Sequence, residues 1–175
     1  MGRELQYYGS GILRTRSVEV DPATGGDFLR DLVADMEKIL VAERGLGLAA
    51  PQAGENVRVF ILDSDELGLA GRRVFVNPVV ETLGPMVNDE EGCLSIPGVF
   101  ENVRRPDKVT VKALDLGGCE FVLELEGYAA RAVQHENDHL DGILFIDRLS
   151  SIKKRLLRKR LADIRREYGG DTRIF

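Results

Sequence analysis

The sequence predicts an α+β fold: a single domain of mixed or antiparallel strands around a central helix, with a further helix at the C-terminus. Three observations carry the prediction. Three stretches have helical character and several short apolar or β-branched runs lie between them. The alternation of the two is too irregular for a doubly wound sheet. No repeat, low-complexity stretch or linker divides the 175 residues, a length that suits one domain with an appendage.

The elements follow in order. In residues 27–45, Phe28, Leu29, Leu32, Val33, Met36, Ile39 and Leu40 recur at three- and four-residue spacing and give a helix one apolar face. Asp27 would cap it, and Gly45 or Gly47 would end it. Val57–Asp63 reads as a strand, and Arg73–Val80 as a second strand broken at Pro78. "KVTVKALDLGGCEFVLELEG" reads as two strands joined by a turn at Asp115–Gly118. "GYAARAVQHENDHL" returns to helix, with Gly142 as its stop, and Ile143–Leu149 reads as a short strand. "SIKKRLLRKRLADIRREY" is a strong helix, with Leu157, Leu161, Ile164 and Tyr168 as a stripe for docking.

Composition narrows the class. Apolar residues make up 43% of the chain, enough for a core. No apolar run approaches the roughly 20 residues of a membrane span. The N-terminus lacks the apolar stretch of a secretory signal, and Gln6 makes a poor myristoylation site. A cytoplasmic protein is expected. In that compartment Cys93 and Cys119 are more readily free, catalytic or metal-bound than paired. The net charge is −5, but Arg148–Tyr168 holds nine Lys/Arg and two Asp/Glu, a balance of +7 against −12 elsewhere. Such asymmetry points to a partner.

Both histidines of the chain lie in "QHENDHLDG", as His135 and His139, with Glu136 beside the first. On a helix, positions i and i+4 share a face about 5–6 Å apart, so the two imidazoles can hold one ion. Glu136 points about 100° away and can serve a water at that ion without ligating it. Such a short match can arise by chance on a surface helix, but no other histidine exists in the chain. An open catalytic site needs a third protein ligand. Downstream there is no further His, and the only Glu is Glu167, in the basic tail. Asp141, Asp147 and Asp163 have no obvious ligand setting, which leaves the cysteines. Cys119 follows a hairpin turn. Cys93 lies in the Gly/Pro-punctuated "NDEEGCLSIPG", neither clean helix nor clean strand, and is the favoured of the two. In "GLGLAAPQ", a helix cap and small-residue loop explain Gly45 and Gly47 but not Gln52, whose amide can donate to a developing oxyanion.

Together, "GLGLAAPQ", "EGCLS" and "QHENDHLDG" resemble the three signatures of the peptide deformylases, in that family's order and approximate spacing. "GILRTRSVEV", "VFVNPVV" and "LFIDRLS" also look like family text, so the resemblance covers nearly the whole chain. The N-terminal "YYGSGILR" departs from it, since family members more often show an Asp-Pro turn there.

The resemblance implies a metal-dependent hydrolase that removes the formyl group from the N-terminal formyl-methionine of nascent polypeptides and releases formate. It implies Cys93, His135 and His139 as metal ligands and Glu136 as general acid/base. Gln52 and the Leu94 N–H would be the oxyanion donors. One divalent ion is implied, Fe2+ natively, with Zn2+, Ni2+ or Co2+ able to replace it. The peptide would pair with backbone at Gly45, Leu46 and Gly47. The methionine pocket would be lined by Leu46, Tyr128, Arg131 and Ala132, the stem of Arg131 covering the pocket while its head reaches water, or else the whole side chain facing solvent. A tight recess would exclude acetyl groups. Residues 1–150 would be the catalytic domain and 151–175 a basic helix and tail, for which the resemblance suggests contact with ribosomal RNA near the peptide exit. A monomer is expected. Two rivals remain. A peptidase built on the same helix would leave the other two signatures idle, and an RNA-binding module with a structural metal would need a fourth protein ligand.

Overall fold

The computed structural model describes residues 2–69 and 74–168. Five strands, β1 (Gly47–Ala49), β2 (Val59–Leu62), β3 (Val74–Gly92), β4 (Phe100–Leu114) and β5 (Glu120–Glu126), form one sheet in sequence order. Every pairing is antiparallel. Among the described residues four helices accompany it: α1 (Pro22–Glu43), the single turn α2 (Ser64–Leu67), α3 (Gly127–Leu140) and α4 (Ser151–Tyr168). The expected α+β class and central helix are both present. Among the described residues no helix is long and apolar enough to cross a membrane.

β2 shows how the core is built. Its four residues are all buried. Val59 and Ile61 join a cluster with Leu29, Leu32 and Met36 of α1. Phe60 and Leu62 join another with Ala130, Val133 and Leu140 of α3. This end of the sheet is therefore covered by a helix on each face, which is why β2 reads as an unbroken apolar run. A third cluster joins Ile96, Val99 and Val103 to Phe145, Leu161 and Ile164, so α4 docks over the chain that follows Cys93. Leu157 packs against that cluster and Tyr168 stacks on Tyr7 with ring centroids 4.5 Å apart, as the stripe anticipated.

Several boundaries differ from the expectation. α1 begins at Pro22, not beside Asp27: the Asp21 side chain accepts from Ala23 N, and proline at the first position suits a helix start. The helix ends at Glu43, where Arg44 takes the left-handed conformation expected of a glycine. Pro78 does not break its strand; Arg73, at the expected start, lies outside the described residues. The β3–β4 register shifts between Val76 and Val79, and the irregularity leaves the proline room. Asn77 there has φ 49°, and its amide is held by both backbone groups of Val20, at 3.0 and 2.8 Å. β3 then continues to Gly92, through text that read as irregular. Ile143–Leu149 is not a strand: Phe145–Arg148 forms a 3-10 turn, with Asp147 accepting from Leu144 N. The hairpin at Asp115–Gly118 and the span of α3 are as expected. In the C-terminal stretch 151–175, α4 runs to Tyr168, and 169–175 lie outside the described residues.

Candidate active site and metal centre

Three segments distant in sequence meet beside α3. The helix presents His135 and His139 on one face, with ring centroids 5.1 Å apart. The end of β3 delivers Cys93. The ligand atoms of Cys93, His135 and His139 lie within 4.8 Å of one another, and Cys93 Sγ is 3.3 Å from His139 Nε2. The segment of β1 and the following 3-10 turn closes the third side with Gly47 and Gln52.

The donor set fits a divalent cation. Thiolate and imidazole suit late first-row metals. His135 is oriented by Glu91, whose carboxylate accepts from Nδ1 at 3.0 Å and leaves Nε2 to face the cluster. Burial would lower the His135 pKa, but hydrogen bonds with Cys93 and Glu91 outweigh it and hold it up at about 10. Burial drives His139 the other way, well below its usual value, so it is available as a neutral ligand. Its Nδ1 finds no hydrogen-bond partner among the described residues.

Glu136 is 5% exposed and burial raises its pKa to about 7. Its Oε2 also has no partner among the described residues. A Cβ on Gly47 would stand 2.6 Å from Glu136 Oε1 and 2.8 Å from a Leu62 methyl. Glycine there leaves the carboxylate its place. Gln52 is fixed at both ends of its amide: Oε1 accepts from Ala49 N at 2.8 Å, while Nε2 donates to Ser95 Oγ at 3.1 Å and faces Cys93 Sγ at 3.5 Å. That places an N–H donor beside the ligand sulfur. The Leu94 side chain packs against Gly45, where a Cβ would be 2.7 Å from Leu94 Cδ1.

A cavity of about 420 Å³ opens from this cluster. Its wall includes Gly45, Leu46, Gly47, Tyr128, Arg131 and Ala132, all six expected of a peptide-binding surface. Arg131 differs in detail from both readings of the sequence. It is 6% exposed, and its head does not reach water but donates to Glu91 Oε1 at 2.6 Å and to the carbonyls of Val103 and Val87.

That contact belongs to a charge network absent from the sequence-based expectation. Arg105, 1% exposed, donates to both oxygens of Glu91 and, at 2.8 Å, to Asp138. Arg148 donates to both oxygens of Asp138, sharing Oδ2 with Arg105. Burial would raise the Glu91 pKa, but Arg105 and His135 hold it well below the carboxylate range. One signal was available. Val103, Val109, Val111 and Ala113 are the buried alternate positions of β4, and Arg105 occupies the same phase. A cation in a core-facing slot requires buried anions. Cys119, the alternative ligand, is exposed on the β4–β5 turn and takes no part in the cluster.

Comparison with known proteins is consistent with this arrangement. The sequence model of the family described as Polypeptide deformylase matches residues 3–155. The peptide deformylase 1 of Clostridium perfringens is 46% identical over 145 residues, 83% of this chain and 96% of that protein. The peptide deformylase of Fusobacterium nucleatum is 40% identical over 165 residues, 94% of this chain and 93% of that protein. Among solved structures, the peptide deformylase of Legionella pneumophila superposes with a TM-score of 0.85 at 37% identity, covering 98% of this chain and 99% of its own. That of Thermus thermophilus gives 0.83 at 38%, covering 95% and 99%.

Proposed function

Because the chain belongs to the polypeptide deformylase family, and so removes the N-formyl group from nascent peptides, we propose that Cys93, His135 and His139 hold its metal and that Glu136 moves the protons. The convergence of one sulfur and two imidazoles beside a buried, half-unpartnered carboxylate carries this reading. Fe2+ is the native ion, with Zn2+, Ni2+ or Co2+ as substitutes. When bound, the ion supplies Lewis acidity to the formyl carbonyl and to water.

The chain's own residues do the rest. Glu136, poised by burial near neutral pH, takes the proton of the attacking water and passes it to the departing amine. Gln52 Nε2 and the Leu94 N–H donate to the oxyanion; losing one such donor typically costs about 3–4 kcal/mol of barrier. Gly45, Leu46 and Gly47 pair with the peptide backbone. Leu46, Tyr128 and Ala132 line the methionine pocket, and the buried Arg131 stem closes its floor. A formyl group carries only hydrogen beyond its carbonyl, so a tight recess at the metal admits formyl and excludes acetyl by sterics.

At larger scale, residues 1–150 are the catalytic domain and α4 a docked appendage. The exposed basic face of α4 contacts ribosomal RNA, and the enzyme works as a cytoplasmic monomer. Formate release from formyl-Met peptides, cleavage of internal peptide bonds and metal content, measured on anaerobically purified protein, test the reading together. Formate release with one metal per chain is the expected result, and Cys93→Ala is expected to weaken metal retention. A metal that survives Cys93→Ala with its spectrum unchanged would overturn the ligand set. Hydrolysis of acetyl-Met peptides at a comparable rate would overturn the steric recess. Ribosome affinity at low salt that is unchanged by deleting residues 151–175 would overturn the RNA contact, since phosphate contacts dominate there.

A further inference from the structure

Two aromatic side chains on the cavity wall face solvent: Tyr128, 56% exposed, and Phe100, 63% exposed. Tyr128 already has a place in the methionine pocket. Phe100 has no role in the chemistry described so far. Single exposed apolar residues are common on protein surfaces, so exposure alone assigns it none. Its position says more. Phe100 opens β4 and pairs across the ladder with Gly92, the residue before Cys93. A Cβ on Gly92 would fall 2.6 Å from Cε1 and 2.7 Å from Cδ1 of the ring. The ring therefore rests on the Gly92 backbone, where any larger residue would displace it. The surface turned away from Gly92 stays open at the cavity mouth, beside Pro97 and Gly98.

The distance to the reacting centre is short. An extended peptide advances about 3.3–3.6 Å per residue. Phe100 shares the cavity wall with the methionine-pocket residues and pairs with the residue before Cys93, so one further extended step along that wall brings a side chain within reach of its ring. We propose that Phe100 is a specificity-determining residue: its open ring packs against the side chain that follows formyl-methionine and favours aromatic and large aliphatic residues there over alanine. The proposal rests on this cavity being the peptide site. An aromatic contact of this kind corresponds to a preference of about two- to tenfold.

The test compares formyl-Met-X-Ala with formyl-Met-Ala-X, X being Phe, Leu or Ala, in the wild type, Phe100→Ala and Phe100→Leu. kcat and KM are measured for each, and Kd for the unformylated Met-X-Ala products. The wild type is expected to prefer Phe and Leu over Ala at the second position, through KM and Kd. Phe100→Ala should bring both ratios toward one. Phe100→Leu, which still covers Gly92, should keep the Leu preference and lose the Phe preference. Ratios unchanged in Phe100→Ala, or a preference found only at the third position, would overturn the proposal. If no peptide releases formate, the deformylation reading fails, while the product Kd ratios still judge Phe100.

Discussion

α3 and α4 are both amphipathic helices, of 14 and 18 residues, yet they bury opposite chemistry. α3 turns Arg131, Gln134, Glu136, Asp138 and His139 inward. α4 buries only Leu161 and Ile164 and leaves nearly all its cations in water. The contrast shows where charge is costly. On α4 most cations are solvated, Lys153 with its pair to Glu101 being the half-buried exception, so a substitution on the exposed face is felt by a partner or hardly at all. On α3 the paired buried ions depend on partners held by other elements, as Asp138 depends on Arg105 and Arg148. Breaking a buried pair leaves an uncompensated charge, whereas exposed pairs contribute little.

Four variants break or sharpen that contrast, the largest effect first. Glu136→Gln keeps the shape of α3 and removes the carboxyl proposed to carry the proton. We expect kcat to fall by about 10²–10⁴, with metal content unchanged by elemental analysis; a variant retaining a tenth of wild-type kcat would assign the proton elsewhere. Arg105→Met removes a cation without opening a large void. About 3 kcal/mol of stability should go, because Glu91 and Asp138 lose a shared partner. Urea titration reads this, and a change under about 1 kcal/mol would mean that Arg131 and Arg148 suffice. Leu161→Ala should cost about 2 kcal/mol through the cluster beneath α4. Equal stability would show that α4 is not part of the cooperative unit. Finally, the pair Arg155→Glu and Arg158→Glu should leave thermal stability within about 0.5 kcal/mol. The same pair should weaken ribosome binding at low salt, and a large Tm drop would show that this face is not merely solvated.

The two helices were also unequally legible in the sequence. α3 could be read to the residue, because histidines four apart require a helix and Gly127 and Gly142 bracket it. The stripe of α4 was equally plain. Where expectation failed, a tertiary contact overrode a local signal. Pro78 reads as a strand break until Asn77 is seen to clamp Val20 and absorb the kink. Ile143–Leu149 has strand composition, but Asp147 folds it into a turn. At the site, single letters announced the residues whose chemistry is visible in isolation: Cys93, His135, Glu136 and His139. Glu91, Arg105 and Asp138 carry no such mark. A carboxylate that orients an imidazole looks like any surface acid until the strands are paired. Arg105 alone left a trace, through its core-facing phase in β4.

Gly47 and Glu136 stand 89 positions apart in the chain, yet occupy one parcel of space. The two cannot vary independently. Enlarging the first, even by a methyl, forces the carboxylate of the second and a Leu62 methyl to shift, and a double substitution that shortens the acid while adding the carbon would relieve the carboxylate clash. The glycine is then a silent half of the acid it never touches in sequence, and a census of point substitutions would score it as catalytic although it carries no functional group.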